Sequence, residues 1–414
     1  MKLFILSDCG VPTGYGRIAD EIGMRLHKRG YQIMAASVAY DGLLPPQYEG
    51  TPLPYWVGSL AEHPNWVEKT AALINSFQPD VVLSIQDFPY HEALYNVGLD
   101  WSRMGRVLVT PVDGVPIYPN WLKTLAKADA ALSISRFGVN AFREAGYKVD
   151  LCQPGIHTDV FFRVPAEERA ALRAKLGIEP GAFVLGTAAM NQGRKAIPLM
   201  LRGFFAFAKD KPNARYLLDM DPQSAAGWDI PALCQQQGWD AGKLIFRADA
   251  QRAGLNLLRE RYNVMDAHVV IAHREGFGLP LVEAMACGVV SMALDYCSGP
   301  EIVGEGRGCL IQTIDYTVPG TWGGAEDKFP DMAHYVSELH RLHDNPAERA
   351  AIAERGMTWA RAQTWDAPTD AVVNAIERAN ARRMMTPPPQ TPLMAVRQPS
   401  VNGHEAQKVK LVEA

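Results

Sequence analysis

No CxxC pair occurs among the six cysteines, at positions 9, 152, 234, 287, 297 and 309. Their irregular spacing argues against a disulfide framework and fits a reduced compartment. No H-x-x-x-H pattern or paired-acid spacing marks a metal site, so none is expected. Long apolar runs are missing too, and Met1 to Leu6 is too short for a signal peptide, which predicts a cytoplasmic protein without stable membrane insertion. Arg25, Lys28 and Arg29 are best read as the solvated carboxyl end of a helix, peripheral contact with a membrane being the alternative. A basic excess is likewise lacking. With 41 Lys and Arg against 45 Asp and Glu, the net charge is −4, which argues against a dedicated nucleic-acid binder without excluding a local basic patch. No internal repeat is visible.

What is present is a globular composition, 48% hydrophobic and 21% charged, over 414 residues, more than one core usually supports. Short apolar runs at 3–6, 33–38, 81–85, 107–109 and 130–134 alternate with helical stretches and predict an open parallel sheet. A charged segment, Glu167 to Lys175, then separates a second alternation, with strands expected at 184–188, 214–219, 244–246, 267–272 and 289–294. The expected fold class is therefore α/β, with two doubly wound, Rossmann-like domains at 1–163 and 177–365. Residues 312–330 carry glycines, acids and Trp322 and are expected to form a long surface loop, a mobile flap being the alternative. The proline-rich stretch 384–414 is expected to be a disordered tail.

The richest signal is Glu275-Gly276-Phe277-Gly278-Leu279-Pro280-Leu281-Val282-Glu283, which sets two carboxylates eight residues apart across a strand-to-helix turn. Pro280 fits the first helical turn and Gly288 the stop. Glycines allow close backbone approach, and the helix amino end favours phosphate. Taken singly, Glu275 is an ordinary loop acid and Glu283 an ordinary helix acid; the whole run points to a polar, phosphorylated ligand.

Two further segments belong beside it. In the loop Ser7 to Gly16, Gly14 and Gly16 allow backbone amides to face a phosphate, though a plain turn into a helix explains them as well. Gly14-Tyr15-Gly16-Arg17-Ile18-Ala19 also satisfies G-x-G-x-x-A, but its glycines start several residues after the strand and no acid ends the second strand, which weakens a dinucleotide reading. Arg194 and Lys195 end the segment Met190 to Lys195, which follows the strand at 184–188 and precedes a helix, where cations can neutralise a departing diphosphate.

The acidic run resembles the E-x7-E motif of retaining nucleotide-sugar glycosyltransferases of glycosyltransferase family 4 (glycosyl transferases group 1), which have the GT-B fold. The resemblance covers most of residues 1–385. It implies that Glu275 contacts donor-sugar hydroxyls, that Glu283 holds the ribose, that Gly276, Phe277, Gly278 and Leu279 lie beside the donor, and that Arg194 and Lys195 hold the diphosphate. The Gly14 to Gly16 loop would approach the diphosphate and acceptor, and a helix at 366–383 would return to the first domain. Many members carry a histidine near the acceptor; the matching stretch here holds Asp113, which either orients the acceptor or serves ordinary Asp-Gly turn chemistry. Gln86-Asp87 has the same standing, and Arg247 would approach the base or cap a turn.

The implied activity is transfer of a sugar from a nucleoside diphosphate sugar, as co-substrate, to an acceptor hydroxyl, with retention and without metal or other cofactor. The acceptor is left unknown, whether glycan, lipid-linked, small molecule or modified nucleic-acid base. Two rivals remain: a non-catalytic nucleotide- or carbohydrate-binding protein of the same fold, and an NAD-dependent oxidoreductase built on the first glycine loop.

Overall fold

The computed structural model describes residues 1–40, 53–60, 64–247, 254–320 and 324–385. In the first half, β1 (Lys2–Ser7), β2 (Gln32–Ser37), β3 (Trp56–Ser59), β4 (Val81–Ile85), β5 (Gly105–Thr110), β6 (Ala130–Ser133) and β7 (Asp150–Leu151) form one parallel sheet in the order β3-β2-β1-β4-β5-β6-β7. The crossovers carry α1 (Gly14–Lys28), α2 (Trp66–Phe77), α3 (Phe88–Asn96), α4 (Pro119–Leu125) and α5 (Arg136–Glu144). Helices on both faces explain why β4 reads as an unbroken apolar run: Val81, Leu83 and Ile85 enter one core and Val82 the other. In α1, Ile18, Ile22 and Leu26 recur at helical spacing and are buried, whereas Met24 is half-buried.

A linker helix, α6 (Ala166–Lys175), leads to the second half. There β8 (Phe183–Ala188), β9 (Ala214–Asp219), β10 (Leu244–Phe246), β11 (Ala267–Val270), β12 (Val290–Leu294) and β13 (Cys309–Ile311) form a second parallel sheet, ordered β10-β9-β8-β11-β12-β13. It is wrapped by α7 (Ile197–Phe207), α8 (Ile230–Gln237), α9 (Leu255–Val264), α10 (Leu279–Ala286) and α11 (Gly299–Val303). Arg169 and Arg173 of the linker helix converge on Asp266, at 2.9 and 2.6 Å, and tie it to the start of β11. Two parallel Rossmann-like sheets in series, joined this way, constitute the GT-B architecture.

The segment expected as a long loop is instead an antiparallel hairpin, β14 (Thr313–Pro319) and β15 (Glu326–Pro330). Its glycines and acids hide an alternation of β-formers, Ile314, Tyr316 and Val318 in one arm. Trp322 lies outside the described residues. The chain continues through α12 (Met332–Asp344) and α13 (Pro346–Arg361) to α14 (Asp366–Met385). That last helix lies on the first sheet: Arg383 pairs with Asp80 at 2.9 Å, Arg378 with Asp150, and a Cβ on Gly105 would stand 3.0 Å from Ala379. Met384 and Met385, expected in the tail, extend this helix, and residues 386–414 lie outside the described residues. Among the described residues no helix is long and apolar enough to cross a membrane.

Candidate active site

Each sheet reverses its strand order once, between β1 and β4 in the first and between β8 and β11 in the second. Ligands of doubly wound sheets settle outside the carboxyl ends of the strands at such a reversal. The turns leaving these four strands hold the residues singled out above. After β8, a single 3-10 turn, Gly193–Lys195, presents both cations, and Ala196, at φ 53°, turns the chain into α7. After β11, residues 271–278 lead to Gly278, at φ 98°, in the left-handed region that glycine tolerates, and α10 begins at Leu279.

These two turns meet. The Lys195 ammonium is hydrogen-bonded to the Glu275 carboxylate, and Arg194 Nη1 lies 3.6 Å from the same oxygen while donating to the Arg274 carbonyl at 3.0 Å. Burial alone would raise the Glu275 pKa, but Lys195 and Arg194 outweigh it and hold the carboxyl below its ordinary value. For Lys195 the balance falls the other way: burial and the neighbouring Arg194 lower its pKa despite Glu275. Arg194 loses to burial but gains more from Glu275, Asp113, Tyr15 and Asp87, so its charge is reinforced. Its side chain keeps 36% of its surface open and lines the cleft rather than sealing it. Ser298 Oγ fixes the acidic turn by donating to the Glu275 and Phe277 carbonyls at 3.0 and 2.8 Å. Phe277 and Leu279 are buried supports.

Glu283 behaves differently from Glu275. It is 1% exposed, accepts a 2.8 Å hydrogen bond from the Tyr262 hydroxyl, and forms an ion pair with Arg17 of α1, from the opposite half of the chain. The two expected acids therefore face one cleft with different duties, one on the second half's own cations and the other on a cation from the first half.

The first glycine loop needs correcting. Thr13 caps α1, its Oγ1 accepting from the Gly16 amide at 2.9 Å, so Gly14 and Gly16 belong to the first helical turn, not to a loop. A Cβ on Gly16 would lie 1.9 Å from the Val11 carbonyl oxygen, whereas at Gly14 it would meet open space. Only Gly16 is required by close approach. Its neighbour Arg17 delivers the charge that reaches Glu283. Arg247 directly follows the edge strand β10, with β9 between that strand and β8, and among the described residues joins none of these contacts.

The first sheet supplies acids and rings. Tyr15 donates to Asp87 Oδ1 at 2.5 Å, and Asp8 accepts from Gln86 and Thr13 at 2.6 and 2.8 Å. Asp113 lies 3.8 Å from Arg274, whose guanidinium also binds Asp327 of the hairpin at 2.6 Å. Closure between the halves is tight: a Cβ on Gly276 would stand 2.7 Å from Pro111, and the Glu326 amide donates to the Val115 carbonyl at 2.9 Å. His273 donates its backbone amide to the Arg194 carbonyl at 2.9 Å, and His157 is bound to Glu21 at 2.8 Å beside the linker. Arg17, Tyr15, Tyr262, Arg274 and Asp327 were missed as site residues, although Tyr15 lies between the two glycines, Arg17 directly after them and Arg274 directly before Glu275.

Comparison with known proteins bears on the same turns. A sequence model of the family "Glycosyl transferases group 1" matches residues 253–316, the stretch containing β11, α10 and both acids. Curated relatives include D-inositol 3-phosphate glycosyltransferases of Kineococcus radiotolerans, 29% identical over 56% of this chain and 52% of that protein, and of Mycobacterium leprae, 30% identical over 56% and 49%. The chain thus spans about half the length of the curated relatives it matches. Among solved structures, sucrose-phosphate synthase from Thermosynechococcus elongatus superposes with a TM-score of 0.72 at 18% identity, covering 92% of this chain and all of that one. Anabaena HepE in complex with UDP and glucose gives 0.71 at 16% identity, over 91% and 99%. At such identities the likeness shows the fold.

Proposed function

We propose that the chain is a retaining glycosyltransferase of the family 4 type, moving a sugar from a nucleoside diphosphate sugar to an acceptor hydroxyl. One observation carries this reading: Arg194 and Lys195 converge with Glu275 in the crevice at the reversal point of the second sheet, facing the first sheet. Two cations beside one carboxylate suit a ligand that combines a diphosphate with hydroxyls. The names of relatives and the nucleotide-bound neighbours, one with UDP-glucose and another with ADP, support the same donor class.

In the proposed reaction the bond between the anomeric carbon and the diphosphate oxygen breaks while the acceptor oxygen bonds to that carbon from the same face. The acceptor proton passes to the departing phosphate oxygen, so no protein nucleophile is consumed. Arg194 and Lys195 meet the negative charge that grows on the leaving group, supplying a part often played by a divalent ion, and no further cofactor is called for. Glu275 accepts from donor-sugar hydroxyls, and Asp113 orients the acceptor. Glu283 takes the ribose by exchanging its contact with Arg17. UDP-, GDP- and ADP-sugars should be screened for nucleotide release; one should be turned over, and Glu275→Ala should lower that rate at least about tenfold, roughly 1.4 kcal/mol. Undiminished turnover in this variant would place the donor elsewhere.

A further inference from the structure

Opposite Arg194 and Lys195, the wall built by the first sheet has an unusual charge pattern. Among the described residues, the segments that leave the carboxyl ends of β1, β4 and β5, residues 8–13, 86–87 and 111–118, contain no Lys or Arg. Asp8, Asp87 and Asp113 stand on them, one on each. Asp8 is occupied by Thr13 and Gln86, and Asp113 faces Arg274, which Asp327 already binds more closely. Asp87 has the Tyr15 hydroxyl as its hydrogen-bond partner, and Arg194, across the cleft, is the cation that acts on it. Burial, reinforced by Asp113 and Asp8, raises its pKa.

Aromatic rings flank these acids. Tyr90, beside Asp8 and Asp87, packs on Trp66 with ring centres 5.4 Å apart, Trp121 stacks on Phe88 at 5.1 Å, and Tyr118, next to Trp121, is 40% exposed. Carboxylates and phenols exchange hydrogen bonds with hydroxyl groups, and ring faces cover the C–H faces of a saturated ring. A phosphate or carboxylate placed here would meet like charge in a partly desolvated wall, a juxtaposition that disfavours the wrong partner strongly.

Resting on the transferase reading, we propose that the acceptor is an uncharged polyhydroxyl compound, an unphosphorylated sugar or cyclitol, held through its hydroxyls by Asp87 and Asp113. Selection against an anionic acceptor is then built into the first sheet's loops, independently of the donor.

The test uses the full chain and whichever nucleotide sugar it turns over. Glucose, fructose and myo-inositol are each offered beside their monophosphates, D-inositol 3-phosphate included, together with single-stranded DNA, and products are read by mass spectrometry. At least one neutral member should be glycosylated, and its phosphorylated counterpart at least tenfold less efficiently in kcat/KM. Asp113→Lys, which adds a cation to the wall, should narrow that ratio at least fivefold. Preference for a phosphorylated member or DNA overturns the inference, as does donor hydrolysis without any neutral product; both leave the donor site standing. Absence of nucleotide release from every donor removes the transferase reading and this inference with it.

Discussion

The two walls of the cleft are built on the same βαβ plan yet carry opposite chemistry. The second sheet's wall gathers its charged groups from two adjacent turns, with Lys195, Arg194 and Glu275 in mutual contact and backed by Ser298. The first sheet's wall spreads Asp8, Asp87 and Asp113 over three turns, with Tyr15 on Asp87, Gln86 and Thr13 on Asp8, and Arg274 near Asp113. A compact cation pair suits a ligand fixed in chemistry, the diphosphate, whereas dispersed acids and rings suit a partner recognised by shape and hydroxyls. Among the contacts that cross from wall to wall, Arg17 to Glu283 has the more deeply buried acid.

Lys195→Ala sharpens that contrast most. It removes a preorganised charge from the leaving group and should lower kcat by about 100- to 1,000-fold, roughly 3–4 kcal/mol of barrier, in steady-state assays. Glycine exchanges on the opposite wall come next. Gly16→Ala drives a methyl into the Val11 carbonyl at 1.9 Å and should cost about 3 kcal/mol of stability or more in urea titration, while Gly14→Ala, facing open space, should be neutral within about 0.5 kcal/mol. Equal effects at both positions would break the account of the first turn of α1.

Arg17→Ala tests the contact between walls. It leaves Glu283, 1% exposed, with Tyr262 as its remaining hydrogen-bond donor and should destabilise by about 2–3 kcal/mol in chemical denaturation, less than a fully buried pair because Arg17 keeps 15% of its side chain in solvent. A second crossing gives a pH signature. Glu301 accepts from the Phe137 amide at 3.2 Å, and burial pushes its pKa up to about 7 from 4.5. The folded state therefore keeps this proton while the unfolded chain releases it, so the contribution to stability is full below pH 4.5 and is lost as pH rises to about 7. Glu301→Gln should flatten the decline between pH 5 and 8, by on the order of 2 kcal/mol relative to the parent after allowing for partial exposure. An unchanged slope would show that the carboxyl ionises freely.

What the sequence revealed follows the same division. The residues of the second sheet's wall were legible because each lies in a strand-to-helix turn beside a glycine: Lys195 after β8 and Gly193, Glu275 between β11 and Gly278. The inner strands of both sheets could be read from apolar runs, since strands buried on two faces need no long-range information, whereas the edge strands β3, β7 and β13 went unread. Arg274 lies as near to β11 and Gly276 as Glu275 does, but its partners, Asp113, 161 positions earlier, and Asp327, come together with it only in three dimensions. The hairpin β14–β15 was obscured because its glycines and acids imitate loop composition, and Gly14 and Gly16 passed for loop residues because Thr13, not a glycine, sets the start of α1. Arg247 shows the converse case, a cation beside a strand end that takes no part in the contacts between Arg194, Lys195 and Glu275.

The most direct test of the central claim is nucleotide release from the preferred donor by Arg194→Ala against the parent chain, with melting temperatures compared in parallel. The account predicts at least a tenfold lower rate, roughly 1.4 kcal/mol, with unchanged melting. Equal rates in the two proteins would contradict a diphosphate held between Arg194 and Lys195.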